Sequence, residues 1–298
     1  LATAAFMTQY LTTRELADLL RIKERKVYDL AASGQVPCSK SMGKLLFPRD
    51  AIEAWIAAGQ TGPTAGGIAE PPPNVFLGSH DPLLEWALRE SRSGLAIYFD
   101  GSMDGLRRFT AREGIATGLH IHDARKDDWN TPGVLGGAAD MPVVLVEWAK
   151  RRRGIITGPK NKKKVSDLES LRGLRIVGRQ ADAGAQILLV ELMKQTSLGS
   201  DDLEFTLTAR SETDAALAVL EGKVDAGFGL EHLAQQYGLR FSPIIEERFD
   251  LLVDRRACFE PPMQAFFQFC RSAGFLARAA DYAGYDVSTL GTVHFNGR

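Results

Sequence analysis

Apolar residues recur at helical spacing, in short bursts, along the first fifth of the chain. Leu16, Leu19 and Leu20 stand at i, i+3 and i+4 and predict a short helix with one apolar face. Thr12 and Glu15 precede it at capping-box spacing, which starts the helix near Thr13. After the tight turn at Arg21-Ile22, a second helix is predicted over 23–32. Val27, Leu30 and Ala31 form its buried stripe and Gly34 its stop. Extended runs at 36–38 and 45–47 flank a basic, glycine-bearing tip over 39–44, a hairpin. Pro48-Arg49-Asp50 then opens a third helix, with Ile52, Trp55 and Ile56 on one face.

The pattern breaks at 59–73, where four glycines and four prolines fall in fifteen residues without any apolar period. This is a linker, flexible at its Gly-rich start and stiff at Pro71-Pro72-Pro73. Beyond it, short apolar runs alternate with helical patterns. Strands are predicted over 75–78, 95–99, 115–121, 154–157, 174–178, 203–207, 226–229, 241–245 and 248–253. Helices are predicted from Asp81-Pro82, over 103–112, 165–171, 183–196, 212–221 and 233–237, and near 262–272 and 275–282. Strand–helix–strand with buried strands implies a parallel sheet. Crossing segments near 143–148 and 249–253 divide it into two lobes. The expected organisation is residues 7–58, a linker at 59–73, and a two-lobed α/β domain at 74–298. Lobe 1 takes about 74–148 and 246–298, and lobe 2 about 149–245.

Composition adds little to this and excludes some classes. A hydrophobic share of 45% with 24% charged residues is ordinary for globular protein. The net charge of −1 gives no global field for nucleic acid, so any such contact is local. Residues 7–58 hold eight Lys/Arg against six Asp/Glu, with Arg21, Lys23, Arg25 and Lys26 close together. Three scattered cysteines, Cys38, Cys258 and Cys270, imply neither a disulfide framework nor a zinc site. No apolar run is long enough to span a membrane. Residues 1–6 lack the marks of a signal peptide and are set aside ahead of a native start at Met7.

Helix, turn, helix, wing, helix resembles the excisionase-type (MerR-like) winged helix-turn-helix domain. The phrases LTTRELADLL, KVYDLAASGQVP and FPRDAIEAWI carry the resemblance. It implies that Lys23, Arg25, Lys26 and Tyr28 face double-stranded DNA, with Thr13 and Arg14 beside them. It also implies that Lys40 and Lys44 reach the backbone from the wing. So few phosphate contacts bind weakly, which implies a homo-oligomer, a dimer or tetramer, on a repeated site.

The second segment resembles the type II periplasmic-binding-protein-like domain of cytoplasmic regulators fused to a helix-turn-helix. GSHD at 78–81, GLHIHD at 118–123, WN at 129–130, LVEWAKRRRGIITGPKN at 145–161, GRQADAG at 178–184, VLEGKVDAGFG at 219–229 and EERFDLLV at 246–253 carry it. Many such relatives bear a molybdate-binding-like label. Clefts of this kind hold small ligands at strand ends and helix N-termini.

Candidate ligand contacts follow the turns. Ser79, His80 and Asp81 lie between a strand and a helix, with Asp81 read first as a cap. Asp100, Gly101 and Ser102 form the equivalent turn after the next strand, and His120 follows the third. In lobe 2, Arg179, Gln180, Asp182, Ala183 and Gly184 link a strand to a helix, and Asp225 lies at another strand edge. Ser79 and Ser102 are the stronger candidates. Arg179 is a planar fork suited to an oxyanion, or to an internal pair with Asp182 or a hinge carboxylate. Relatives commonly carry a Gly-Ser-Gly-Thr-like turn where this chain has Asp182-Ala183-Gly184-Ala185. The hydroxyls are gone and an acid is present, so a small carboxylate or polar organic ligand stands level with molybdate or tungstate. The basic runs 150–153 and 160–164 read as solvated surface, or as auxiliary contacts to DNA backbone or an anionic ligand.

The sequence thus points to a cytoplasmic, ligand-responsive DNA-binding regulator without cofactor or metal. Two other readings stay open. One is an enzyme using His80, His120 and Asp123, although the chain has no nucleophile elbow, metal-ligand spacing or P-loop. The other is an architectural, excisionase-like DNA protein whose large domain only assembles partners.

Overall fold

The capping box at Thr12 and Glu15 starts the first helix where its spacing predicts. Glu15 N–H donates to Thr12 Oγ1 at 3.3 Å, and Thr12 N–H donates back to a Glu15 carboxylate oxygen at 2.8 Å. The computed structural model describes residues 10–41, 43–58, 71–161, 163–199 and 202–297. The excluded start, most of the expected linker, and parts of the wing tip and second basic run lie outside the described residues. Two compact units divide the chain, Leu1–Glu70 and Pro71–Arg298.

Unit 1 runs β1 (Tyr10–Leu11), α1 (Thr13–Leu20), α2 (Glu24–Ala32), β2 (Ser39–Ser41), β3 (Lys44–Pro48) and α3 (Arg49–Ala58). Strand β2 sits three residues later than the expected run 36–38, whereas β3 contains the expected run 45–47 and extends it by one residue at each end. The short strand β1 adds to the expected elements and pairs with β3. Leu11, Leu16, Ala17, Val27, Val36, Phe47 and Ile52 make the core. Leu19, expected in the apolar face of α1, is 46% exposed, and Ala17 is buried in its stead.

Unit 2 has two lobes of parallel strands on either side of an antiparallel ribbon. Lobe 1 contains β4 (Val75–Gly78), α4 (Pro82–Glu90), β5 (Ala96–Phe99), α5 (Ser102–Thr110) and β6 (Ala116–Leu119). A hairpin of β7 (His122–Asp123) and β8 (Asp128–Trp129) and a short α6 (Thr131–Gly137) follow. The chain then leaves on β9 (Val143–Thr157). Lobe 2 contains β10 (Arg175–Arg179), α7 (Gly184–Met193), β11 (Glu204–Ala209), α8 (Glu212–Leu220), β12 (Ala226–Leu230) and α9 (Glu231–Gln236). The chain returns on β13 (Arg240–Asp254) to α10 (Pro261–Cys270), α11 (Ala273–Ala280), β14 (Tyr285–Asp286) and β15 (Val293–Asn296). The sheet order is β11-β10-β12-β9-β13-β6-β4-β5, with β14 and β15 also on β9.

The two crossing strands are the main departure from expectation. The sequence pattern separates 143–148 from 154–157, and 241–245 from 248–253. Each pair is one 15-residue strand, and β9 and β13 pair along almost their full length. The helix expected over 165–171 is a single 3-10 turn, Glu169–Leu171. Lobe 1 packs around Trp148, Phe249, Phe266 and Phe275, all fully buried. Each large apolar side chain so buried stabilises the fold by about 1.5–3 kcal/mol.

Candidate functional site

The lobes meet where the strand-to-helix turns of lobe 1 face the start of α7. Gly78, at the end of β4, and Gly101, before α5, take φ of 104° and 110°, a region that favours glycine. A methyl on Gly101 would lie 2.8 Å from the Asp182 carbonyl oxygen, so this approach excludes a side chain. Met103 N–H donates to the same carbonyl at 3.1 Å, across the lobes.

Beneath this contact, the Ser79 and Ser102 hydroxyls share a hydrogen bond of 2.7 Å. His120 N–H donates to Ser102 Oγ at 3.2 Å. Ser79, Ser102 and His120 are all buried. Gly184, the first residue of α7, abuts His120 so closely that a methyl would lie 2.9 Å from Nε2. Thus Ser79, Gly101, Ser102, His120, Asp182, Ala183 and Gly184 converge on one place.

Other candidates hold the lobes together. Gln180 Nε2 donates to Asp100 at 3.2 Å, and Arg107 donates to Asp182 at 2.7 Å. The Arg107 guanidinium holds the Asp182 carboxyl below its usual range. His80 Nδ1 accepts from Glu212 N–H at 3.3 Å, while its Nε2 meets Glu85 at 3.0 Å. Asp225 does not join the group. It pairs with Arg175 at 2.8 Å, at the opposite end of the lobe 2 strands.

Below the hydroxyls lies a charge network that the sequence pattern did not reveal. Asp81 caps α4 through Leu84 N–H at 2.7 Å and also accepts from Trp148 Nε1, Arg151 and Tyr285. Arg151 bridges Asp81, at 2.7 Å, and Glu247. Arg153 contacts Glu247 at 2.8 Å and Glu212 at 3.0 Å. Arg179 closes the chain on Glu212 at 2.8 Å rather than on Asp182. Arg151 and Arg153 are fully buried, which overturns their reading as solvated surface. Arg152 between them is exposed and pairs with Glu231 at 2.7 Å. Alternation along a strand explains this, because every second residue of β9 faces inward.

Three guanidiniums therefore face three carboxylates. Burial alone would raise the Glu212 carboxyl, but Arg153 and Arg179 overcome it and hold it at about 2. Burial likewise opposes ionised Glu247, yet Arg151 and Arg153 keep it well below the usual range. Burial drives His120 the other way and lowers its pKa, against the pull of Glu247. The signal that could have revealed the network is the alternation Lys150-Arg151-Arg152-Arg153 within an apolar flank, with EER returning later.

In unit 1, Arg14, Lys23, Arg25, Lys26, Tyr28, Lys40 and Lys44 are exposed, and Thr13 is buried in the first turn of α1. Lys23 is the N-cap of α2 rather than part of it.

Residues 85–271 match the family described as the PBP superfamily domain. The chain belongs to the PBP superfamily. Residues 10–60 match a helix-turn-helix domain, so a DNA-binding module precedes the PBP domain. Across nearly its whole length the chain resembles the uncharacterized protein YvgK of Bacillus subtilis (strain 168). That match is 23% identical and covers 96% of this chain and 98% of the relative. Among solved structures, the PBP domain resembles a Clostridium perfringens protein described as a phosphate ABC transporter substrate-binding protein with bound phosphate. The TM-score is 0.52 at 12% identity, over 70% of this chain and 97% of that one. PhnD1 from Prochlorococcus marinus, in complex with methylphosphonate, follows at a TM-score of 0.48 and 10% identity, over 74% and 92% of the two chains. At 12% identity the likeness to the Clostridium perfringens protein is one of fold alone.

Proposed function

We propose that this protein is a cytoplasmic, ligand-responsive DNA-binding regulator. A small anionic or polar molecule, an oxyanion or a small carboxylate, binds between the lobes of the PBP domain. Ser79, Ser102, His120 and the start of α7 contact it, and Arg107–Asp182 and Gln180–Asp100 latch the lobes around it. Lys23, Arg25, Lys26 and Tyr28 read the operator, supported by Arg14 and by Lys40 and Lys44 from the wing. One such domain carries few phosphate contacts, so the working form is a homo-oligomer. The observation that carries this reading is the convergence of buried hydroxyls from lobe 1 on the bare first turn of α7 in lobe 2. Binding there and operator affinity are then linked, each changing the other by the same factor.

The test has two parts. A thermal-shift screen of oxyanions and small carboxylates should find a ligand that raises the melting temperature by mass action. The same compound should then change operator affinity in fluorescence anisotropy. Clean DNA binding that no small molecule or cell extract alters would reject ligand control. It would favour the second reading, an assembly module closed by its own side chains, for which the interlobe pairs Arg107–Asp182 and His122–Glu191 speak.

A further inference from the structure

Strand β11 ends the sheet, and among the described residues no strand pairs with its outer edge. Parallel strands are ordinarily buried on both faces, yet β11 is exposed at every position from Glu204 to Thr208. Its register against β10 slips between Ile176 and Val177, which turns Phe205 and Leu207 to opposite faces. A methyl on Gly178 would meet both Phe205 and Gln186 of α7, so Phe205 lies on the α7 face. Leu207 lies on the α8 face, where it lines a recess of about 370 Å³ with Ala209, Leu217 and Ala218. The two side chains remain 42% and 39% exposed. Beyond the slip, Leu207, Thr208 and Ala209 keep regular register with β10, so their outer side is straight enough to pair. Between Glu204 and Arg210 the strand carries no charge and no proline. The far edge of the sheet is protected, because Arg108 lies over the Tyr98 ring of β5, 4.6 Å from its centroid. Folded proteins ordinarily blunt an open edge in some such way or cover it with a partner.

The order of residues along β11 fits a second copy of itself. Antiparallel pairing about Leu207 sets Glu204 of each copy opposite Arg210 of the other, Thr206 opposite Thr208, and the two Leu207 residues side by side. Opposite charges, threonines and apolar side chains are the pairs that stabilise facing strands. The Arg210 side chain is 78% exposed and its ion pair with Asp100 is a loose 3.8 Å, so it can turn to a partner. The two Leu207 side chains meet on the α8 face, beside the recess of each copy. We infer that β11 is the interface between two copies of this chain, joined edge to edge across a two-fold axis into one continuous sheet. Such a pairing uses the same surface on both copies and closes on itself. The inference rests on the proposed homo-oligomer and names the surface that forms it.

Analytical ultracentrifugation of the full chain tests it. The wild type should sediment as a dimer or a multiple of one. Leu207→Lys sets two like charges against each other at the axis and should halve that mass. Unchanged mass in this variant overturns the inference and leaves a homo-oligomer built on another surface. A wild type that stays monomeric overturns both. Should Leu207→Lys not fold, a charge exchange decides. Glu204→Arg and Arg210→Glu should each weaken self-association by about ten-fold, and the double variant should restore it. Single variants that associate as the wild type does, or losses that the double variant fails to restore, overturn the inference.

Discussion

At the scale of single residues, Glu247 holds the most consequential position in the molecule. It accepts from both buried arginines and from His120 at once. Glu247→Gln leaves those arginines short of countercharge where water cannot compensate. The expected loss is about 3–5 kcal/mol, measured by urea unfolding followed through tryptophan emission. Trp86, Trp129 and Trp148 all report on unit 2. A loss below about 1 kcal/mol would mean that the network is not tightly paired. By contrast, Arg107 is exposed and Asp182 half-buried, so removing either should cost little stability and act on lobe closure instead. Asn130 shows the same economy of placement. It stands at φ 61° with its side chain accepting from Ile121 N–H at 2.6 Å and donating to Asp250 at 2.8 Å.

At the scale of elements, α2 is where the DNA reading is tested. Lys26→Ala should weaken binding about equally on all sequences and lower the salt slope by about one unit. Anisotropy titrations across a salt series measure both. A change confined to one operator position would instead make Lys26 a base reader. Elements whose cues are local are legible in the sequence. The capping box marks the start of α1, and Asp81-Pro82 marks the start of α4. The middle of β9 is not legible, because four consecutive basic residues look like surface. Their burial is possible only through Glu212 and Glu247, 59 and 94 residues from Arg153 in sequence. The site is half legible for the same reason. The serines and glycines announce themselves by their turns, while the role of His120 depends on a carboxylate from the returning strand.

At the scale of the whole molecule, buried acids with opposite shifts set the pH range of stability. Glu212, held at about 2 against an ordinary value near 4.5, stabilises the fold above pH 4.5. That contribution fades as the pH falls toward 2. Burial pushes Asp250 up to about 6 despite Arg248 and Asn130. Its contribution is present below its ordinary range near 3.8 and is lost as the pH rises through 6. Melting temperatures measured from pH 3 to 8 should therefore peak between these limits, and Asp250→Asn should flatten the alkaline side. An unchanged alkaline side in that variant would clear Asp250 of the effect. The ribbon of β9 and β13 has a consequence of another kind. Lobe 2 is spliced into lobe 1 between two paired strands, and β15, near the chain end, completes the sheet on β9. During synthesis the spliced lobe has its strands and helices in hand long before its host does. Lobe 1 must wait, its apolar faces uncovered, until β13 and β15 have left the ribosome.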